Sequence, residues 1–226
     1  MLAKKYRAKV ISISNNIEGV YTLEFKSLNG CFKYLPGQFL HLAIDSEYDG
    51  IGQWPDSRCF SMQSNPDEEN IKITYSVKGV FTNQMERDLV VGSEVWLKLP
   101  YGDLFLRNHS LENTVFIAGG TGVTPFLSLF THKSFYNYIN PLIYLGFRTK
   151  SHNIYNKELS NINNQNALVK IFYQDIDGLI NLATYFKNCK SSFFISGPPL
   201  MIQTFRQSLI NFGTDVNCIF TDDWFS

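Results

Sequence analysis

The sequence predicts a β + α/β chain: an antiparallel β-sandwich or barrel in the first half, then a parallel sheet covered by helices. Three observations predict it. In the first half, apolar and polar residues alternate with period two in several runs, as strands buried on one face require. In the second half, short continuous apolar runs alternate with helix-length segments, the pattern of βαβ units whose strands are buried on both faces. The character changes at "RNHSLEN" (107–113), so residues 1–108 and 109–226 are the expected domains.

The elements follow in order. "YRAKVISI" turns Tyr6, Ala8 and Val10 to one side and Arg7 and Lys9 to the other. "VYTLEFKS" does the same with Tyr21, Leu23 and Phe25. "IKITYSVK" points Ile71, Ile73, Tyr75 and Val77 inward and Lys72, Thr74, Ser76 and Lys78 outward, and "EVWLKL" adds Val95, Leu97 and Leu99. Turns such as Pro36-Gly37 and Asn65-Pro66 separate these runs. One short helix is expected from Thr82, read as its N-cap, through Leu89. In the second half the expected strands are 114–118, 141–147, 168–174, 192–196 and 216–220, with helices over 124–134, 153–160, 178–188 and 198–211.

Composition narrows the function. The chain has 226 residues, 44% hydrophobic, enough for two modest domains. Twenty basic and twenty acidic residues cancel, and no basic stripe suggests nucleic acid. The N-terminal stretch has no long apolar run, so a signal peptide is not expected, and no segment is long enough to span a membrane. The four cysteines, Cys31, Cys59, Cys189 and Cys218, are widely spaced. They form no C-x-x-C, and free thiols in the cytoplasm are expected. His41, His109, His132 and His152 show no metal-ligand spacing, and no G-x-S-x-G elbow supports a serine hydrolase. No metal is expected.

"IAGGTGVTPFLSL" (117–129) brings three glycines and a proline between an apolar strand and a helix. In open α/β sheets, ligands bind at the carboxyl ends of the strands, where backbone N–H groups attract phosphate. Close packing of the strand on its helix explains the same glycines, and the turn alone does not choose. After the second strand, "YLGFRTK" offers Arg148 and Lys150 and no acid. A cation there favours a 2′-phosphate, hence NADP over NAD; the other reading is a solvated loop. In "RCFSMQS", Arg58 and Phe60 share one strand face, suited to a phosphate and an aromatic ring. An ordinary strand with an ion-paired arginine fits the same residues.

Seven motifs occur in order: "PGQFLHL", "RCFSMQS", "KGVFTNQM", "LPYGDLFL", "GGTGVTPFLSL", "YLGFRT" and "SGPPLMI". Together they resemble the ferredoxin–NADP reductase superfamily across essentially the whole chain. The resemblance implies a flavin-binding antiparallel β-barrel followed by an NAD(P)-binding α/β domain. It implies that Arg58 contacts the flavin phosphates, Phe60 packs on the isoalloxazine and Ser61 hydrogen-bonds near flavin N5. Gly79, Val80 and Thr82 would cradle the pyrophosphate of FAD. Cys59 is expected as small filler or a backbone contact in that motif, and Tyr75 near the ribityl or phosphate. Gly120, Thr121 and Gly122 would face the dinucleotide, and Gly197, Pro198 and Pro199 would border the nicotinamide. Ser196 stands where the family usually has Cys, beside the reacting carbons. Asp222 and Asp223 match an acidic position near the C-terminus, and Trp224 would either cover the flavin or pack between domains.

The implied activity is hydride transfer from NAD(P)H to FAD. Electrons would then pass to a protein acceptor such as ferredoxin, flavodoxin or an oxygenase component. A flavin reductase, an oxygenase reductase component and a non-catalytic flavin-binding module are the alternatives. A monomer is expected.

Overall fold

The protein is described here by a computed structural model covering residues 2–164, 166–181 and 191–222. The chain divides into two compact units, Met1–Asp103 and Leu104–Ser226.

In the first unit, the alternating runs form strands β1 (Lys4–Ile17), β2 (Val20–Ser27), β3 (Phe39–Ala43), β4 (Arg58–Ser61), β5 (Ile71–Ser76) and β6 (Glu94–Tyr101). Helix α1 (Val80–Asp88) lies between β5 and β6. All neighbours pair antiparallel, in the order β4-β3-β6-β1-β2-β5. The two end strands meet: Gln63 N–H donates to Lys72 O at 2.8 Å, and Lys72 N–H to Ser64 Oγ at 3.0 Å. The sheet therefore curls into a nearly closed barrel. Ala8, Val10, Leu23, Phe25, Ile71, Ile73, Val95, Leu97 and Leu99 fill it, as the period-two pattern predicts.

One residue departs from that pattern. Thr74, expected to face outward, is buried. Its hydroxyl lies 2.7 Å from Thr22 Oγ1 and donates to Gln63 Oε1 at 2.6 Å. The closure that buries Gln63 also covers Thr74, and these bonds satisfy it.

The second unit contains β7 (Thr114–Gly119), α2 (Thr124–Phe130), β8 (Leu142–Phe147), α3 (Asn156–Ser160) and β9 (Leu168–Tyr173). A single turn α4 (Gln174–Asp177), β10 (Ser192–Ser196), α5 (Pro199–Asn211) and β11 (Ile219–Thr221) complete it. The sheet is parallel, in the order β11-β10-β7-β8-β9. The chain runs outward through β8 and β9, then returns to place β10 on the other side of β7. The strand order thus reverses between β7 and β10, the topological switch point where such sheets bind ligands. Phe116, Phe126, Phe130, Phe135 and Phe194 pack together in the core beside β7 and α2.

Helices are shorter than periodicity suggests because side chains interrupt them. The run expected over 124–134 ends at Phe130, and His132 Nδ1 accepts from Ser134 N–H to start a separate turn. The one expected over 153–160 begins at Asn156, after Asn153 Oδ1 accepts from Tyr155 N–H. The strand expected over 216–220 begins at Ile219; Asp215 Oδ1 caps Asn217 N–H and holds Val216–Cys218 in a 3-10 turn. Residues 178–181 are not helical, and the remainder of the helix expected over 178–188 lies outside the described residues.

Candidate functional site

The barrel carries one group of predicted residues. Arg58 opens β4 with its side chain 53% exposed, and Nη1 donates to both Asp56 Oδ1 and Ser57 O at 2.7 Å. The guanidinium carbon lies 5.2 Å from the centre of the Phe81 ring, a cation–π distance. Phe60, two residues on, is only 8% exposed and meets Tyr75 edge-on at 6.0 Å between ring centres. Most of its ring is therefore committed to the core. Ser61 is buried at the end of the strand. Cys59 points the other way, its Sγ 3.5 Å from Nε2 of His41, its cross-strand neighbour. Burial pushes the Cys59 thiol up, against the opposing pull of Arg58. Burial, and then Lys98, push His41 down. A neutral thiol beside a neutral imidazole is the expected state near pH 7.

Beside them α1 begins, and here the sequence reading needs correction. Thr82 is not the N-cap. Gly79 is, with extended backbone at φ −163°, and Thr82 sits in the first turn. Its hydroxyl reaches back to accept from Lys78 N–H at 2.9 Å and Gly79 N–H at 3.1 Å, the return half of a capping box. These two donors are already used. The N–H groups of Val80, Phe81 and Thr82 have no acceptor within the helix, and the Val80 side chain is 89% exposed. A Cβ added at Gly79 would meet nothing within 4 Å. An open helix start near a half-exposed arginine fits a phosphate-bearing group. Tyr75 is buried, which pushes its hydroxyl well above the ordinary tyrosine range. It stacks on Tyr21 at 5.5 Å.

The α/β unit brings the other predicted residues together at its switch point. The Gly119–Gly122 turn follows β7, and the Ser196-Gly197-Pro198 turn follows β10. They touch through backbone. A Cβ on Gly122 would lie 2.4 Å from Gly197 Cα and 2.5 Å from Gly197 N. A Cβ on Gly119 would lie 2.6 Å from Met201 Sδ, and one on Gly197 2.6 Å from Met201 Cε. Gly120 differs: its φ is +54° and an added Cβ would meet nothing within 4 Å. Of the two readings of this glycine run, close packing explains Gly119 and Gly122, while Gly120 borders open space. Thr121 O accepts from the Thr124 hydroxyl at 2.9 Å.

Ser196 is 2% exposed, and its hydroxyl donates to Asp222 Oδ2 at 3.2 Å. Asp222 N–H donates to Ile195 O at 3.0 Å, extending the β10–β11 pairing. Two residues named separately from sequence are thus one hydrogen-bonded pair. Arg148 and Lys150 are exposed beyond β8, and Arg148 O accepts from Asp175 N–H at 3.2 Å. Among the described residues the Arg148 guanidinium has no carboxylate partner. Asp223 and Trp224 lie outside the described residues. Sequence reasoning missed the Asp56 and Phe81 contacts to Arg58; an acid two residues before the arginine was a signal available for the first.

A family model described as an oxidoreductase NAD-binding domain matches residues 116–207, which include both glycine turns. The reductase component of propane 2-monooxygenase from Mycolicibacterium smegmatis is 30% identical over 158 residues, covering 68% of this chain and 43% of that protein. The FAD/NAD-binding domain of a nitric oxide dioxygenase from Vibrio cholerae superposes with a TM-score of 0.80 at 20% identity, covering 96% of this chain and 97% of that domain. Ferredoxin–NADP+ reductase from Plasmodium falciparum superposes with a TM-score of 0.75 at 19% identity, covering 96% and 95% of the two chains. Residues 116–207 thus match an oxidoreductase NAD-binding domain, and the fold is the one shared by these reductase and dioxygenase structures. Like them it has an N-terminal antiparallel barrel and a C-terminal α/β domain. The chain spans about half the length of the curated relatives it matches: 43%, 43% and 54% of the first three. Among the described residues no helix is long and apolar enough to cross a membrane.

Proposed function

We propose that this chain is an oxidoreductase that carries FAD on residues 1–108 and engages NAD(P)H on residues 109–226. When bound, FAD supplies a two-electron acceptor for the NAD(P)H hydride and a donor of single or paired electrons. The protein's part is to bind and orient. Arg58 holds a flavin phosphate, and the N–H groups at the start of α1, after Gly79 and through Val80 and Thr82, hold its pyrophosphate. Phe60 and Tyr75 line the flavin, with Ser61 at its ring edge. In the α/β unit, Gly120 and Thr121 leave room for the dinucleotide, Gly122 and Gly197 fix the two turns against each other, and Pro198 borders the nicotinamide. Asp222 holds the Ser196 hydroxyl, so that buried serine is oriented before substrate arrives. Arg148 binds the 2′-phosphate, making NADPH the preferred coenzyme. The electron acceptor is a separate protein, a ferredoxin, a flavodoxin or an oxygenase component. The likeness to a propane 2-monooxygenase reductase component supports the last.

The observation that carries this reading is the pair of glycine turns meeting at the switch point of the parallel sheet, in a chain whose other unit is a nearly closed barrel with Arg58 beside an open helix start. The test is the absorption spectrum of the full chain with FAD, before and after anaerobic NADPH. Bleaching of protein-bound flavin is expected. Bound flavin that NADPH leaves oxidised would overturn the reductase reading in favour of a non-catalytic flavin module.

A further inference from the structure

The ion pair on Arg58 lies at the surface of the barrel. Both side chains are mostly exposed, Arg58 53% and Asp56 76%, and they stand two residues apart. Such a pair contributes little to stability. Its effect falls on whatever else needs the guanidinium. An arginine presents two forks to an oxyanion, one through Nη1 and Nη2 and one through Nε and Nη2. Asp56 Oδ1 and Ser57 O both accept from Nη1 at 2.7 Å, which blocks the first fork. Phe81 covers one face of the group at 5.2 Å. Among the described residues no acceptor engages Nε or Nη2. A phosphate must therefore use the remaining fork, on a cation whose charge Asp56 already offsets, or displace the carboxylate.

We propose that Asp56 is a built-in competitor for Arg58, which lowers the barrel's affinity for a phosphate-bearing flavin and keeps that flavin exchangeable. The inference rests on the flavin reading above. Asp56 acts on the dinucleotide end of the ligand through Arg58 and leaves the ring's contacts alone.

Fluorescence titration of the full chain with FAD and with riboflavin, which lacks phosphate, tests this in four forms: wild type, Asp56→Asn, Arg58→Ala and the double variant. Asp56→Asn is expected to lower the Kd for FAD roughly two- to tenfold at low ionic strength, with the gain shrinking in salt. Its Kd for riboflavin stays at the wild-type value. In the Arg58→Ala background, Asp56→Asn should give no gain. An equal gain in both backgrounds would overturn the competition, because simple charge repulsion would then suffice. An FAD Kd that is unchanged or raised by Asp56→Asn would overturn it as well. A wild-type chain that binds neither flavin would instead defeat the flavin reading itself.

Discussion

In the α/β unit, Gly119, Gly122 and Gly197 stand where any side chain would strike a neighbour; in the barrel, Gly79 and Val80 face open space. The same residue type marks a candidate site in both units for different physical reasons. At the switch point the chain brings two turns into backbone contact, and the glycines are part of the packing. On the barrel, Arg58 and the start of α1 are exposed, and their bonds to Asp56, Ser57 and Thr82 are local. Changes at the first place should disturb the fold and the binding together. Changes at the second should disturb binding alone.

The largest expected effect tests the first half of that contrast. Gly122→Ala drives a methyl group against Gly197 Cα, Gly197 N and Ser196 C, all backbone atoms within 2.7 Å of its position. Backbone cannot rotate away, so the cost should be about 3 kcal/mol or more, at the upper end for overpacked sites. Urea unfolding followed by circular dichroism measures it. A variant as stable as wild type would mean the two turns are not locked together.

Arg58→Ala tests the second half. Losing a charge-assisted phosphate contact should weaken FAD binding by about 1.5–3 kcal/mol. Because the side chain is half exposed and its ion pair is local, the urea midpoint of the flavin-free protein should not move. Unchanged FAD affinity would remove Arg58 from the site, and a lowered midpoint would show that the barrel depends on it structurally.

Arg148 sharpens the comparison from within the α/β unit, because it is exposed there as Arg58 is in the barrel. Arg148→Ala should reduce kcat/KM for NADPH by an amount worth about 1–3 kcal/mol, mostly through KM, and leave NADH and stability untouched. An unaltered ratio of the two coenzymes would defeat its assignment to the 2′-phosphate. A wild-type preference for NADH would defeat the NADP reading.

How far these properties could be read in the sequence depends on the range of the interaction behind them. Strands β1, β2, β5 and β6 were legible because alternation records burial residue by residue, and β7 and β10 because both of their faces are covered. The order of the parallel strands was not, since pairing β10 beside β7 joins residues far apart in the chain. Local bonding also overrode simple signals. Thr82 reads as an N-cap, but a threonine in the first turn can return its hydroxyl to Gly79 N–H and leave the cap to the glycine. Thr74 reads as a solvent-facing strand residue, and only barrel closure at Gln63 buries it. The candidate site shows the same division. Arg58, Gly120 and Ser196 were legible as residue types in order. The acceptors of Arg58 and Ser196, Asp56 and Asp222, are fixed by geometry that the order of motifs does not encode.

Gly120→Ala is the smallest effect and the closest control for the largest. It changes the same turn, two residues from Gly122, and adds the same methyl group. Here the methyl enters open space, so no packing term arises. What remains is the backbone: φ is +54°, a left-handed conformation that costs an alanine about 1 kcal/mol. The urea midpoint should therefore fall by a fraction of the Gly122→Ala shift. If the open space beside Gly120 admits the dinucleotide, the added methyl should raise KM for NADPH while flavin content stays at the wild-type level. A stability loss as large as that of Gly122→Ala would mean that strain, and not contact with Gly197, governs the whole turn. An unchanged KM would mean that the coenzyme does not approach Gly120.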